Sequence, residues 1–141
     1  MLPRTFAERL ESWSNLRHNV QSLPVPQALE IINSWWFQTS WRAYHLHWDD
    51  RPNWPDPWQL LDDHLYCSLA RGLGIMYTIA MIERDDMQDA VLAELDSNNL
   101  VLVSNKKYIL NWDATEIVNI NLDGTKMSRC VTLNQIKQKL R

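Results

Sequence analysis

Apolar residues recur at intervals of three and four along the first quarter of the chain. The first set is Phe6, Leu10, Trp13, Leu16 and Val20, and the second, after Pro26, is Leu29, Ile32, Trp35 and Trp36. This period is typical of a helix with one buried face, so the sequence predicts helices over 5–22 and 26–38. The two helices either form a hairpin, or residues 1–25 are an arm that packs on another chain.

The periodic pattern disappears over residues 38–56, which predicts a long connection rich in aromatic residues. Asp56 is a predicted N-cap, with Pro57 at the first helical position. The apolar stripe that follows predicts a helix over 57–72. Gly72 and Gly74 are predicted to end that helix. Residues 75–82 are apolar throughout, which predicts a buried strand, with a continuation of the helix as the alternative.

Short apolar runs separated by turn-forming residues predict an antiparallel meander in the last third of the chain. The predicted strands are 91–95, 100–103 and 108–112, with a short edge strand over 116–121 before the turn at Asp123-Gly124. Leu133, Ile136 and Leu140 predict a short closing helix. The predicted fold class is therefore α+β, with N-terminal helices, a small antiparallel sheet and a short C-terminal helix.

Length and charge limit the organisation and the partners of the chain. Its 141 residues and 16.7 kDa fit one domain, 1–141, with a helical, Trp-rich part over 26–73 and a mostly β part over 74–141. The net charge of −3 disfavours a nucleic-acid partner. No apolar run approaches the roughly 18 residues that span a bilayer, so we expect no membrane partner. Two cysteines are too few for a disulfide framework.

Tryptophan is concentrated in the middle of the sequence. Six of the eight tryptophans lie within residues 35–58. Trp35, Trp36 and Trp58 fall on helix stripes, which favours packing, whereas the remaining aromatic and arginine residues suit a protein interface. The predicted interface residues are Trp41, Arg42, Tyr44, Trp48, Arg51 and Trp54. A platform that stacks on sugar rings is the alternative, and we favour the protein interface.

Cys67 and His64 are the candidate catalytic pair, because a thiol nucleophile needs a nearby base. They are three residues apart on one predicted helix, but Cys67 is expected in the helix interior, away from the positive end of the dipole. This placement favours a packed or exposed thiol. His45 and His47 with the adjacent aspartates lack a fourth ligand, so we predict no metal site. No phosphate-binding loop is present in the sequence, and we predict no cofactor.

The order of elements around Cys67 resembles the transglutaminase-like cysteine enzymes over about half the chain. In both, a helix carrying the cysteine precedes a strand and a meander, which here ends at Trp112-Asp113-Ala114-Thr115. The resemblance implies a histidine on a strand after the cysteine. This sequence has no histidine after His64, and Asp89 stands near the corresponding place. The resemblance therefore implies the fold without its catalytic triad.

A second resemblance covers residues 33–121. The strings Asn33-Ser34-Trp35-Trp36, Tyr44-His45-Leu46-His47, Trp54-Pro55-Asp56-Pro57-Trp58, Tyr66-Cys67-Ser68-Leu69-Ala70-Arg71-Gly72 and Tyr108-Ile109-Leu110-Asn111-Trp112 are similar to small proteins of contractile-tailed bacteriophages, including those of cyanobacteria. This resemblance implies a component of the virion, in the tail, baseplate or neck, that is assembled in the host cytoplasm. Its partners would be other virion proteins, with a ring of copies of this chain as one arrangement.

Two functions are therefore expected. The first is a non-enzymatic structural or assembly subunit that docks on its neighbours through the Trp-rich loop. The alternative is a cysteine-dependent amidase or peptidase of transglutaminase-like type, with Cys67 as nucleophile.

Overall fold

Helices occupy the first part of the chain and an antiparallel sheet the second, which confirms the predicted α+β class. The computed structural model describes residues 2–38, 40–41, 46–63, 65–117 and 124–140, without the side chains of 40, 41 and 65. The elements are α1 Phe6–Val20, α2 Val25–Trp36, β1 Ser40–Trp41, α3 Pro57–Asp63, β2 Leu65–Tyr66, α4 Ser68–Ile82, β3 Val91–Leu95, β4 Asn98–Val103, β5 Tyr108–Leu110, β6 Met127–Thr132 and α5 Leu133–Gln138, with 3-10 helices at Trp48–Asn53 and Asp85–Met87.

Helix α4 lies at the centre of the molecule, and the other helices and the sheet pack around it. The prediction of one helix over 57–72 is wrong, because α3 ends at Asp63 and α4 begins only at Ser68. The predicted strand over 75–82 is also wrong, and its helical alternative is confirmed. A helix that is covered on nearly every side carries apolar residues all round, so its sequence resembles that of a buried strand.

The glycines of α4 permit close packing and do not end the helix. A Cβ atom on Gly74 would lie 2.4 Å from Cζ3 of Trp36, which is closer than real Cβ contacts allow. At Gly72 the corresponding contact is 2.7 Å from a methyl group of Leu92 on β3. These two positions therefore bring α4 against α2 on one side and against the sheet on another.

The first helix packs within its own chain, as in the hairpin alternative. Trp13 and Val20 on α1 are fully buried, and α1 contacts α2, α3 and α4. Thr5 caps the helix, since its Oγ1 accepts a hydrogen bond from the backbone N–H of Glu8 at 3.1 Å. The buried Arg9 side chain joins α1 to α3 by donating to the carbonyl of Leu61 at 2.5 Å.

The main sheet has the strand order β5-β4-β3-β6, and all of its strand pairs are antiparallel. Strands β3 and β4 form a two-residue hairpin whose turn residues, Asp96 and Ser97, both have positive φ. The sequence did not predict β6, which is exposed at every position except Val131 and therefore shows no apolar alternation. Of the strand predicted over 116–121, residues 116–117 are irregular and the others lie outside the described residues.

Replacing Gly74 with alanine tests the close approach of α2 and α4. The new methyl group collides with the Trp36 ring, so Gly74→Ala should lower the free energy of unfolding by about 1–3 kcal/mol, measured by urea titration. In an open helix the same change would gain roughly 1 kcal/mol. The control is Ser14→Ala on the exposed side of α1, which should be neutral or slightly stabilising. A Gly74→Ala protein more stable than the wild type would contradict the packing.

Candidate functional site

The protein covers most of its described tryptophans itself. Trp13, Trp35, Trp36, Trp48 and Trp54 are buried. Each donates its indole N–H to an acceptor in the same chain over 2.7–3.0 Å. Trp13 and Trp36 both donate to Thr78 Oγ1, and Trp35 donates to Ser12 Oγ. Trp48 donates to Asn99 Oδ1, and Trp54 donates to the carbonyl of His47. Trp48 is 8% exposed and Trp54 is 5% exposed. The expectation that a neighbouring chain covers these two rings is therefore wrong.

The exposed aromatic residues are not the ones that the sequence indicated. Trp58, which was predicted to pack, is 44% exposed, and Trp112 is 50% exposed. Of the other predicted interface residues, Arg42 and Tyr44 lie outside the described residues, and Trp41 is described only as backbone in β1. Of the tryptophan and tyrosine rings on the loop over 38–56, the two whose side chains the structure describes, Trp48 and Trp54, are therefore not free to form a docking surface.

Two of the predicted interface residues, Arg51 and Trp54, line a groove of about 380 Å³ between the 3-10 helix Trp48–Asn53 and α5. We call it the C-terminal groove. Its floor consists of the buried residues Trp54, Val131 and Ile136. Its rim includes Arg51, Gln138 and Lys139. The groove thus combines an apolar floor with a basic rim.

Lys139 holds the two walls of the C-terminal groove together. Its ammonium group donates to the carbonyl of Pro52 at 3.1 Å and to that of Trp54 at 2.9 Å. Arg51 has no ion pair with any of the residues that the structure describes. The rim therefore presents a cation whose charge is not neutralised by a described carboxylate, above a floor fixed by hydrogen bonds.

Cys67 occupies the N-cap of α4, not the interior of a helix as predicted. Its Sγ accepts a hydrogen bond from the backbone N–H of Ala70 at 3.5 Å. The predicted partner, His64, lies outside the described residues. The chain breaks its helical path between α3 and α4, so the premise of a Cys–His pair on one helix is wrong.

A cleft of about 430 Å³ opens beside Cys67, and we call it the Cys67 cleft. His47 and Asp49 line its loop side, and Glu94 and Arg129 line its sheet side. Arg129 forms an ion pair with Asp49 at 3.0 Å and is 4.0 Å from Glu94. Arg129 thus joins a carboxylate of the loop to a carboxylate of the sheet across the cleft.

A hydrogen-bonded network extends from Ser68 and Asn99, which line the Cys67 cleft, into the neighbouring structure. Asn99 on β4 accepts from the Trp48 indole and donates to Ser68 Oγ at 3.1 Å. Asn111 donates to the carbonyls of Ser68 and Asn99, and its Oδ1 accepts from Arg71 at 2.6 Å. Burial lowers the pKa of the Arg71 guanidinium, although the nearby Cys67 acts in the opposite direction. These amide side chains join the loop, α4 and the sheet.

Asp89 has a structural task and is not among the residues that line the Cys67 cleft. Its carboxylate accepts from the backbone N–H groups of Ser104 and Asn105, at 3.1 and 2.5 Å. Ser104 and Asn105 have positive φ, so the carboxylate stabilises a strained turn between β4 and β5. Among the described residues, no group of three or more His, Cys, Asp or Glu side chains is placed to hold a metal ion.

Sequence reasoning did not find Val131, Ile136 or Lys139 as neighbours of the loop. They lie about 80 residues from Trp54, and local periodicity carries no signal for contacts at that separation. The sequence analysis also did not identify Asn33 and Asn111 as structural residues. A signal was present at Asn33, because an amide side chain within an apolar helix stripe indicates a buried hydrogen bond. Asn33 Oδ1 accepts from the backbone of Asn111 at 2.8 Å.

Comparison of the chain with protein-family models, with curated proteins and with solved structures returned no match. In the part of the chain that the structure describes, no helix combines the length and apolar character that crossing a bilayer requires.

Substitution of Cys67 tests whether its main task is to cap α4. Cys67→Ser supplies a better N-cap acceptor and should keep or raise the free energy of unfolding, whereas Cys67→Ala should lower it by about 0.5–1 kcal/mol. Urea titration measures both variants, and Cys130→Ser on the exposed face of β6 is the control. Equal stability of the serine and alanine variants would show that the thiol does not act as a cap.

Proposed function

We propose that this protein is a non-enzymatic structural subunit of a bacteriophage particle, placed in the tail, baseplate or neck, that docks on neighbouring subunits. The resemblance of residues 33–121 to small proteins of contractile-tailed phages is the sequence support for the virion. The observation that carries the docking function is the C-terminal groove, in which Arg51 and Trp54 from the Trp-rich loop meet α5.

The C-terminal groove has the composition of a binding site for a protein segment. Interface centres are apolar and aromatic, with arginine enriched and water excluded. Here the floor is apolar, and the arginine stands on the rim. The Trp54 indole donates to the carbonyl of His47, and Lys139 bridges the two walls. Because these contacts are made before a partner arrives, docking loses little conformational entropy.

The arrangement around Cys67 supports a non-enzymatic role. A catalytic thiol needs a base held within hydrogen-bond reach and a group that orients the base. The thiol instead accepts a backbone hydrogen bond at the N-cap, and the side chains of Asn99 and Asn111 are engaged in structural contacts. Asp89 stands near the position where the resemblance to transglutaminase-like enzymes would place a histidine, and it stabilises a turn.

Reversing charge on the groove rim tests the docking function. The groove variant, Arg51→Glu with Gln138→Glu, adds two carboxylates beside the remaining Lys139, so the net charge of the rim becomes negative while the buried floor is unchanged. The experiment uses phage in which this variant is the only source of the protein. The copy number of the protein in purified particles should fall by about tenfold or more, which corresponds to a loss of about 1.4 kcal/mol in the free energy of binding. Quantitative mass spectrometry of the particles measures the copy number.

The control variant, Lys106→Glu with Ala114→Glu, makes the same change in net charge at exposed positions that do not line the C-terminal groove. It should be incorporated like the wild type. Circular dichroism and thermal unfolding must show that both variants fold. Normal incorporation of a folded groove variant would contradict the proposal.

Cysteine-dependent hydrolysis of an amide is the second candidate function, and one observation favours it. Cys67 lies at the N-terminus of α4, where the dipole stabilises a thiolate, and His47 lines the same cleft. In this function Cys67 is the nucleophile and His47 the base. The Cys67→Ala protein distinguishes the two functions, because hydrolysis of cell-wall peptide by the wild type that disappears in this folded variant would support the enzyme and contradict the assembly subunit.

A further inference from the structure

The molecule carries a second groove, whose charge is opposite to that of the C-terminal groove. It lies between α1 and α2, has a volume of about 490 Å³, and we call it the acidic face. The charged side chains that line it are Glu8 and Glu11. Ile31 on α2 also lines it, and its side chain is 41% exposed.

We propose that the C-terminal groove of one copy binds the acidic face of a second copy of this chain. The inference rests on the proposed docking function and names a partner for the same groove. The exposed Ile31 side chain supplies the apolar group for a floor of Trp54, Val131 and Ile136. Glu8 and Glu11 supply carboxylates for the rim cations Arg51 and Lys139.

Charge complementarity is what selects a second copy as the occupant. A partner for the C-terminal groove should present an apolar side chain beside carboxylates, since an arginine at an interface pairs best with a carboxylate. The acidic face presents this combination on the protein's own surface. Glu8 accepts a hydrogen bond from Thr5 at 2.8 Å, so its carboxylate is held at the start of α1, and Glu11 lies one turn further along the same helix.

The two surfaces share no residue, so a single contact of groove with acidic face joins two different patches. A twofold dimer uses the same patch on both copies, whereas a contact between two different patches runs head to tail. Each added copy then leaves one groove and one acidic face free for the next. Such a contact closes into a ring when the rotation that relates successive copies is a whole-number fraction of a full turn. Otherwise it extends as a filament.

A charge swap tests the contact on purified full-length protein. The groove variant defined above makes the rim of the C-terminal groove acidic. A face variant, Glu11→Lys with Asn15→Lys, makes the acidic face basic. Neither variant should pair with itself, because like charges then meet. An equimolar mixture should associate, because each groove faces a surface of opposite charge.

Sedimentation velocity from micromolar to millimolar protein, at about 50 mM and about 500 mM salt, provides the readout. The wild type should associate at low salt and less at high salt. Each double variant alone should raise the dissociation constant on the order of tenfold or more, and the mixture should restore association. The Lys106→Glu, Ala114→Glu control should behave like the wild type.

A wild type that stays monomeric at millimolar concentration and low salt would overturn the inference, as would association that neither double variant weakens. These failures are separate from failure of the proposed function. If the groove variant is lost from particles while the purified protein is monomeric, the groove docks on a different subunit. If the protein self-associates through the groove yet the groove variant enters particles normally, the proposed function fails instead.

Discussion

The hydroxyl group of Thr78 organises the helical half of this protein. It accepts the indole N–H groups of Trp13 and Trp36, each at 2.9 Å, and donates to the carbonyl of Gly74 at 2.9 Å. A hydroxyl has one donor and two acceptor positions, so this group is fully used. The contact joins α1, α2 and α4 in the buried core, where an indole N–H without an acceptor would cost about 1–3 kcal/mol. Gly74, one turn earlier on α4, makes room for the Trp36 ring.

The packing of the fold therefore explains most of the high tryptophan content. Five indoles are covered by the chain itself, and each of them meets another of the five edge to face. The pairs are Trp13–Trp36, Trp35–Trp36 and Trp48–Trp54, with ring centroids 4.9–6.2 Å apart. Covering Trp48 and Trp54 fixes the loop against β4 and α5. The C-terminal groove then exists because the loop is held there, and the proposed docking function uses a surface that the buried rings position.

The sequence predicts those parts of the fold in which one face of an element is buried. The helices over 5–22 and 26–38 and the hairpin of β3 and β4 have this character, and the structure confirms them. Prediction failed at α4, because a helix buried on nearly all sides loses its periodic signal, and at β6, because an exposed strand has none. For the site, the sequence indicated Arg51 and Trp54, but the wall formed by Val131 and Ile136 depends on tertiary contacts that local pattern does not encode.

The stability of Thr78 variants tests most directly the central claim, that the fold of this chain itself anchors its five buried tryptophans. Thr78→Val preserves shape but removes the acceptor shared by Trp13 and Trp36, so it should lower the free energy of unfolding by about 2–6 kcal/mol. Thr78→Ser keeps the hydroxyl and should cost about 1 kcal/mol for the lost methyl group. Urea titration of the two variants gives the comparison. A valine variant as stable as the serine variant would contradict the account.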